Sequence, residues 1–366
     1  MSEFAFLFPM EGDVLLSGAD GIEKAGLLYV PVTLSGLPGK KVAINGNQAK
    51  WEEDVYLAQV PIGPGPQTLT ATADGEGVCQ VRVWWLKDGQ KRLHITVDDC
   101  IRCFQDLTLH TEEYPSMLDH PYLALFHEAY QKYGMGVHIN VFYENEDGSF
   151  NLSMMTDRYR EEFQANAHWL SLSFHSIREF PDAPYQNADY DTVTRDCRLV
   201  TEEIRRFAGD NVLRETTTLH WGASNLEGAR ALRDQGFRAL CGYLMLDEQG
   251  QPLVSYYLSK NQVERAFHRE AMVDFEEDIF FMHLDFVLDL PKNAADQMEQ
   301  RLNEITQRPN EGQFISIVIH EQYFYPDYHN YRSDYSDRVL TVARWAYEHG
   351  YKSVSLTELL RENRKG

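Results

Sequence analysis

From Leu93 to the C-terminus, the sequence alternates between short apolar runs and longer stretches with helical spacing. Runs such as "LHITV", "WLSLSF" and "FISIVI" are separated by stretches such as "HPYLALFHEAYQKYG". Several of these stretches end in Gly, which favours the left-handed cap of a helix. Repeated βα units predict parallel strands, and over this length they favour a (β/α)7-8 barrel. A doubly wound open sheet is the alternative, but no glycine-rich phosphate-binding turn follows any strand.

The first quarter of the chain has a different texture. Between about Gly26 and Trp85, alternating runs such as "LLYVPVTLSG" are interrupted by Gly-Pro and Asn-Gly, and no long helical period occurs. This pattern is typical of antiparallel strands in a small sandwich. We therefore predict an immunoglobulin-like β-sandwich domain over residues 1–88 and a (β/α) barrel domain over residues 89–366, with the boundary in the polar segment "KDGQK".

Composition excludes several classes of partner. The 366 residues carry 34 Lys and Arg against 56 Asp and Glu, a formal charge of −22, so nucleic acid and anionic lipid would repel the chain. Hydrophobic residues make up 43% of the chain, which is typical of a globular protein. No apolar run is long enough to span a membrane, and the N-terminus lacks the basic region of a signal peptide. We expect a cytoplasmic protein.

The five cysteines are scattered and odd in number, which favours free thiols over a disulfide framework. Cys100 and Cys103 form a single CxxC pair. No second pair or nearby His completes a zinc site around it, so a redox or metal role for this pair is the less favoured interpretation.

Four apolar runs end in titratable side chains. These are Asp98-Asp99 after "HITV", His175 after "LSF", His220-Trp221 after "TTTL" and His320-Glu321 after "SIVI". The carboxyl ends of barrel strands meet at one rim, where such enzymes carry their chemistry. Each residue also has a simpler interpretation, because Asp is a favoured helix N-cap and a lone His is commonly a structural hydrogen-bonding residue. Together the four ends favour a functional site.

The last of these ends continues into an aromatic segment, "HEQYFYPDYHNY". Aromatic rings beside carboxylates suit a sugar, whose C–H faces stack while its hydroxyls form hydrogen bonds. We predict substrate contacts from Trp221, Glu321, Tyr323 and Tyr325. The alternative is a loop that packs against itself over the rim.

At these residues the chain resembles the polysaccharide deacetylase family, the NodB-homology carbohydrate esterases. "ITVDDC" is similar to the family's Thr-Phe-Asp-Asp-Gly motif, "SFHSIREFPD" to its His-Ser/Thr motif, and "SIVIHEQ" to its late Leu-x-His strand. The resemblance covers about Leu93 to Leu360. Four features depart from the family: Val97 replaces Phe, Cys100 replaces Gly, Glu179 stands where a second histidine is expected, and "TLHWGAS" replaces the Arg-bearing third motif.

The resemblance implies a role for each matched residue. Asp98 would be the general base, Asp99 and His175 metal ligands, and His320 the general acid that protonates the leaving amine. The ion would be divalent, with zinc foremost and nickel or cobalt as alternatives. Glu179 or His220 would complete the metal site, and the sequence leaves open which of them does so, or whether the metal is retained.

The leading hypothesis is thus a metal-dependent hydrolase that removes an acyl group, such as acetyl, from a carbohydrate or related amide. One alternative is a metal-free glycosidase-like barrel enzyme, with two carboxylates drawn from Asp98, Asp99, Glu179 and Glu321. Another is a sugar-binding protein that has lost catalysis. For the N-terminal domain, the favoured roles are a structural spacer or a surface for homo-oligomerisation.

Overall fold

The fold was analysed in a computed structural model, which describes residues 4–310 and 312–364. The chain divides into two compact units. The first takes the chain up to Gln90 together with Ala271–Asp278 and the segment from Glu358 onward, and the second comprises Lys91–Glu270 and Ile279–Thr357. The first unit thus includes two segments from the region that the sequence assigns to the barrel. The boundary at residue 88 and the immunoglobulin-like class stay predictions.

The first unit contains two β-sheets. Strands are numbered along the chain, and those of this unit are β1 (Ala5–Phe8), β2 (Val14–Leu15), β3 (Ile22–Lys24), β4 (Leu27–Ser35), β5 (Val42–Ile44), β6 (Asn47–Gln48), β7 (Lys50–Glu52), β8 (Val55–Ile62), β9 (Gly65–Ala73), β10 (Glu76–Trp85) and β18 (Ala271–Asp274). One sheet has the order β1-β4-β8-β7, with β3 beside β4, and the other has the order β2-β10-β9-β5-β6. One face of each sheet contributes to a shared apolar core, in which Val30, Val60, Leu69 and Trp85 are buried.

Alternation and turn chemistry explain these strands. Along β4, every second side chain is buried, as expected for a strand with one face against a core. The turn between β5 and β6 is Asn45-Gly46, and the turn between β9 and β10 is Asp74-Gly75, all four residues having positive φ. Two successive residues with positive φ form the tight hairpin turn that Asn-Gly and Asp-Gly favour.

The second unit is mixed α/β. Its strands are β11 (Arg92–Cys100), β12 (Val137–Phe142), β13 (Leu170–Ser176), β14 (Thr216–Thr217), β15 (Ala239–Gly242), β16 (Met245–Leu246), β17 (Pro252–Leu253), β19 (Ile279–His283), β20 (Phe286–Val287), β21 (Phe314–His320) and β22 (Lys352–Ser353). One parallel sheet has the order β13-β12-β11-β21-β20, with β22 also beside β11. A second parallel run is β14-β15-β19, and β16 and β17 form an antiparallel hairpin.

The run from β19 to β20 pairs with both parallel sheets. Its first half pairs with β15, where the Leu284 amide donates to the Gly242 carbonyl. Its second half pairs with β21, where the Asp285 amide donates to the Ser316 carbonyl. A complete (β/α)7-8 barrel stays a prediction.

Helices lie between most of the parallel strands, and one more helix follows the last strand. They are α1 (Arg102–Leu109), α2 (Pro121–Tyr133), α3 (Arg160–Ala165), α4 (Tyr190–Phe207), α5 (Leu226–Asp234), α6 (Lys260–Arg269), α7 (Ala295–Ile305), α8 (Tyr335–Glu348) and α9 (Leu356–Arg364). Short 3-10 helices span Met117–Asp119, Leu152–Met154, Asp210–Val212, His220–Gly222, Pro291–Asn293 and Glu321–Phe324. Within the described residues, no helix has both the length and the apolar character that crossing a membrane requires.

Candidate active site

The strand that carries Asp98 and Asp99 ends in a β-bulge. Between β11 and β12, Val97 pairs with Ile139, but the next pair is Cys100 with Val141. Asp99 has φ of +62°, in the left-handed region. Successive side chains of a regular strand point to opposite faces, whereas a bulge redirects one of them. Both carboxylates therefore line the same cavity, of about 300 Å³.

Asp98 is buried and lines this cavity. Its Oδ1 accepts hydrogen bonds from Asn140 Nδ2, at 2.6 Å, and from Thr96 Oγ1, at 3.1 Å. Burial raises the pKa of the Asp98 carboxyl, and the nearby imidazoles of His175 and His320 oppose this shift. The residue lies directly beside His320 in the register of β11 and β21.

Asp99, His175 and His220 form a buried cluster. Asp99 Oδ1 lies 3.0 Å from His175 Nε2 and 3.4 Å from His220 Nδ1. The two ring nitrogens lie 3.1 Å from each other. One potential ligand atom from each residue falls within 4.8 Å of the other two. The Gln322 side-chain amide donates to the other carboxylate oxygen of Asp99, at 2.7 Å.

The hydrogen bonds of the two outer ring nitrogens determine which atoms carry protons. His175 Nδ1 bonds to the Thr218 carbonyl, and His220 Nε2 bonds to the Glu179 carbonyl at 2.9 Å. A carbonyl can only accept, so both of these nitrogens carry hydrogen. In neutral rings, the nitrogens that face each other and Asp99 are then both bare. Three lone pairs converge on one point, an arrangement that a cation or an added proton stabilises.

The charges around the cluster favour the ionised form of Asp99 and the protonated form of His175. Burial would raise the pKa of the Asp99 carboxyl, but its interactions with His175, His220 and His320 outweigh this effect and hold that pKa well below its usual value. Burial lowers the pKa of His175, and the carboxylates of Asp98 and Asp99 more than reverse this effect, so the net shift is upward. Without a cation, the carboxylates of Asp98 and Asp99 thus favour protonation of His175. The donor set of one carboxylate and two imidazoles suits a divalent ion such as zinc or cobalt.

His320 forms an ion pair with Asp289. One oxygen of Asp289, Oδ2, lies 2.8 Å from His320 Nδ1 and also accepts the His320 backbone N–H, at 2.8 Å. Burial lowers the pKa of His320, but Asp289, Asp99 and Asp98 outweigh it and raise that pKa to about 10. The ring is therefore protonated at neutral pH, with its Nδ1–H held by Asp289.

Glu179 lines the cavity, but its carboxylate is not part of the ligand cluster. Its backbone carbonyl instead orients His220. Burial, with repulsion from Asp99, raises the pKa of the Glu179 carboxyl to about 7. The role of Glu179 as a metal ligand stays a prediction.

Trp221 and Tyr323 lie at the cavity wall together with Tyr328. Trp221 has φ of +63° and leaves 47% of its surface exposed beside His220. A large exposed ring held in a strained backbone conformation is an observation that points to function. Tyr323 packs between His320 and Tyr328, with ring centroids 6.0 and 5.2 Å away.

Glu321 and Tyr325 have a different environment. The Glu321 carboxylate is buried and accepts the backbone N–H groups of Ile101, Arg102 and Cys103, at 2.7 to 2.8 Å, so it caps the start of α1. Tyr325 donates its hydroxyl to Glu321 and packs its ring under the Arg102 guanidinium. Neither residue lines the cavity. Contact between these two residues and substrate stays a prediction, and the function proposed for the site does not depend on it.

Sequence reasoning missed three residues of the site, namely Asn140, Asp289 and Gln322. Asp289 follows the apolar run "FVL", so the strand-end signal that found His320 could also have found it. Asn140 is a polar residue inside a strand, which is a weaker signal. Gln322 shows no distinguishing pattern in the sequence.

All five cysteines are free. Cys100 and Cys103 are fully buried, and burial raises the pKa of each thiol well above its usual value. A protonated, buried thiol is a poor metal ligand and a poor nucleophile. Cys100 packs at the end of β11 instead, with its sulfur 3.7 Å from the Asp98 carbonyl.

Comparison with known proteins finds similarity only among solved structures. No sequence-family model and no curated protein matches the chain. A candidate polysaccharide deacetylase from Mycobacterium smegmatis is 11% identical, with a TM-score of 0.46 over 76% of this chain and 92% of that one. A family 4 acetyl xylan esterase from Clostridium thermocellum, in complex with cobalt, is 14% identical, with a TM-score of 0.39 over 74% and 91%. A CE4 family pseudoenzyme from Bacillus anthracis is 13% identical, with a TM-score of 0.35 over 74% and 66%.

Proposed function

We propose that this protein is a metal-dependent hydrolase that removes an acyl group from a carbohydrate or related amide. The observation that carries the proposal is the convergence of Asp99 Oδ1, His175 Nε2 and His220 Nδ1, with the protons of both rings engaged by backbone carbonyls. These three residues would hold a divalent ion, zinc foremost. Such an ion, when bound, supplies Lewis acidity that polarises an acyl carbonyl and makes water more acidic.

Asp98 and His320 supply the proton transfers. Asp98 keeps its Oδ1 in hydrogen bonds with Asn140 and Thr96, which leaves Oδ2 to accept a proton from the attacking water. His320 is protonated at neutral pH and donates from Nε2 to the leaving nitrogen or oxygen, while Asp289 keeps hold of Nδ1. The proton gained by Asp98 and the proton lost by His320 balance over one turnover.

The wall of the cavity suits a sugar ring. Trp221 offers an exposed aromatic face, and Tyr323 and Tyr328 add hydroxyls nearby. We also propose that the two parallel sheets, joined by the run from β19 to β20, belong to the predicted barrel, with these residues at its rim.

The test combines metal analysis with product detection. Protein purified without chelator is expected to contain one divalent ion per chain and to release acetate from acetylated aminosugars or xylans. Dialysis against a chelator should abolish release, and zinc or cobalt should restore it. Asp98→Asn should lower kcat by about 10²–10⁴ while metal content stays unchanged. A site that stays empty in the presence of zinc, nickel and cobalt contradicts the proposal.

Two alternatives predict different results in the same assays. A metal-free glycosidase would cleave aryl glycosides after chelation. A sugar-binding protein without catalysis would bind oligosaccharides in a calorimeter but release no acetate from any acetylated substrate.

A further inference from the structure

Asn140 lies opposite the β-bulge that carries the two aspartates. In the register of β11 and β12, Val97 faces Ile139 and Cys100 faces Val141, so Asp98 and Asp99 together oppose the single residue Asn140. Asn140 is completely buried. A bulge places two residues of one strand opposite a single residue of the next strand. Here the single residue is Asn140, whose side chain carries an amide, and the two residues opposite it carry carboxylates.

The Asn140 amide links three strands through both of its ends. Its Nδ2 donates to Asp98 Oδ1 and to Thr96 Oγ1, both at 2.6 Å. Its Oδ1 accepts the Thr218 backbone N–H at 3.4 Å and lies 3.3 Å from the Thr217 hydroxyl oxygen, which donates its hydrogen to the Phe174 carbonyl. A backbone N–H can only donate, so the oxygen of the amide must face Thr218 and the nitrogen must face Asp98. The orientation of the amide is therefore determined by its surroundings.

This arrangement restrains one oxygen of the carboxylate. Both hydrogen bonds that Asp98 accepts from other side chains reach Oδ1, and one of the two donors, Thr96, is itself held by Asn140. The carboxylate cannot rotate without breaking a short bond to a buried amide, which would then lose a partner. Oδ2 is the other oxygen of a carboxylate that lines the cavity.

We propose that Asn140 is a positioning residue, which holds Asp98 Oδ1 so that Oδ2 faces the attacking water. The proposal rests on the function proposed above. Asn140 does not line the cavity, so it acts through Asp98 and not through contact with the substrate. Removing the amide should therefore affect the chemical step and leave substrate and metal affinity almost unchanged.

Asn140→Ala is the direct test, and Ser173→Ala is its matched control. Ser173 lies beside Asn140 in the register of β12 and β13, is equally buried and donates to the Thr216 carbonyl, without contact to Asp98. We expect Asn140→Ala to lower kcat by at least tenfold, with KM and zinc affinity within twofold of wild type. Ser173→Ala should stay within threefold in all three quantities. Crystal structures should show the Asp98 carboxylate rotated in Asn140→Ala only.

A second variant covers the case in which Asn140→Ala does not fold. Asn140→Leu removes the amide but fills the space that Ala would leave empty with a side chain of similar shape, and it should lower kcat by at least tenfold with KM unchanged. Wild-type kcat in either folded variant, or an equal loss in Ser173→Ala, overturns the proposal. If the wild-type protein turns over no substrate, the proposed function fails by itself. The orientation of Asp98 in the crystal structures then still decides whether Asn140 positions it.

Discussion

His175 Nε2 and His220 Nδ1 lie 3.1 Å apart. Each ring donates from its other nitrogen to a backbone carbonyl, so neither of the two facing nitrogens carries hydrogen when the rings are neutral. Two lone pairs at this distance repel each other, and Asp99 Oδ1 adds a third. The protein has thus fixed both tautomers in the form that metal ligation requires. Because the sequence left the choice between Glu179 and His220 open, this geometry leads to the first prediction.

His220→Ala should weaken zinc binding by about 100-fold or more, since loss of an outer-shell partner alone typically costs 10–100-fold. Glu179→Gln is the matched comparison, because it keeps the backbone carbonyl that orients His220 and removes only the carboxylate charge. We expect its zinc affinity to stay within about threefold of wild type. Calorimetric titration of chelator-treated protein measures both. Equal losses in the two variants would show that Glu179 is a ligand.

A second prediction concerns His320 in metal-free protein. The pKa of its imidazole should lie near 10, because Asp289 and the site aspartates outweigh the effect of burial. Asp289→Asn should lower this pKa toward the ordinary histidine value of about 6.5. Titration by imidazole ¹H–¹⁵N NMR measures the shift. Asp327→Asn, which alters an exposed carboxylate paired with Arg102, is the control and should leave the titration unchanged.

The same shift has a consequence for stability. The pKa of His320 is higher in the folded state than in the unfolded state, so the folded state binds its proton more tightly. The resulting stabilisation is fully present below about pH 6.5 and is lost as the pH rises through about 10. Free energies of unfolding measured at pH 6.5 and pH 10 should therefore differ less in Asp289→Asn than in wild type. An unchanged difference would contradict the ion pair.

A third prediction concerns His138, which lies on β12 two residues before Asn140. Its Nε2 donates to the Thr216 carbonyl at 3.0 Å, and its Nδ1 lies 2.8 Å from the Ser171 hydroxyl. Burial lowers the pKa of His138 to about 3. The unfolded state takes up this proton first as the pH falls, so stability decreases below about pH 6.5. The decrease stops once the pH is below the folded-state pKa.

His138→Gln keeps one donor and one acceptor but cannot be protonated. Relative to wild type, it should reduce the loss of unfolding free energy between pH 6.5 and 5 by at most about 2 kcal/mol, the value for one proton over this range. His168→Gln is the control, because His168 is exposed and lies in a turn. Urea denaturation at the two pH values provides the measurement. Identical pH dependence in His138→Gln and wild type would show that His138 is not held neutral.

The strand ends could be predicted from the sequence because an apolar run and the polar residue that follows it are both local patterns. Asp98, Asp99, His175 and His220 do meet at one cavity, and His320 lies beside them. That both carboxylates share this site was implied only by the family resemblance, because neighbouring strand residues normally face opposite ways and the bulge at Asp99 depends on its partner strand.

Other features of the site depend on contacts between residues far apart in the chain. Asp289 lies 31 positions before His320, and Glu321 caps a helix more than 200 positions earlier. In the sequence, Glu321 directly follows a strand and therefore suggests a side chain that binds substrate. Only the position of α1 shows that the nearest unsatisfied polar groups are backbone amides and not sugar hydroxyls.

The last prediction separates these two interpretations of Glu321. As a cap, Glu321 accepts three backbone N–H groups at the start of α1, and the negative charge is favourable at that end of a helix. Glu321→Gln should therefore lower the free energy of unfolding by about 1–3 kcal/mol, because a buried acceptor of charge-assisted hydrogen bonds is weakened. Glu299→Gln, on an exposed ion pair with Arg344, should change the free energy of unfolding by less than about 1 kcal/mol.

In the folded fraction, deacetylation by Glu321→Gln should stay within a few-fold of wild type. Abolished hydrolysis of aryl glycosides with unchanged stability would instead make Glu321 a catalytic carboxylate and favour the metal-free glycosidase.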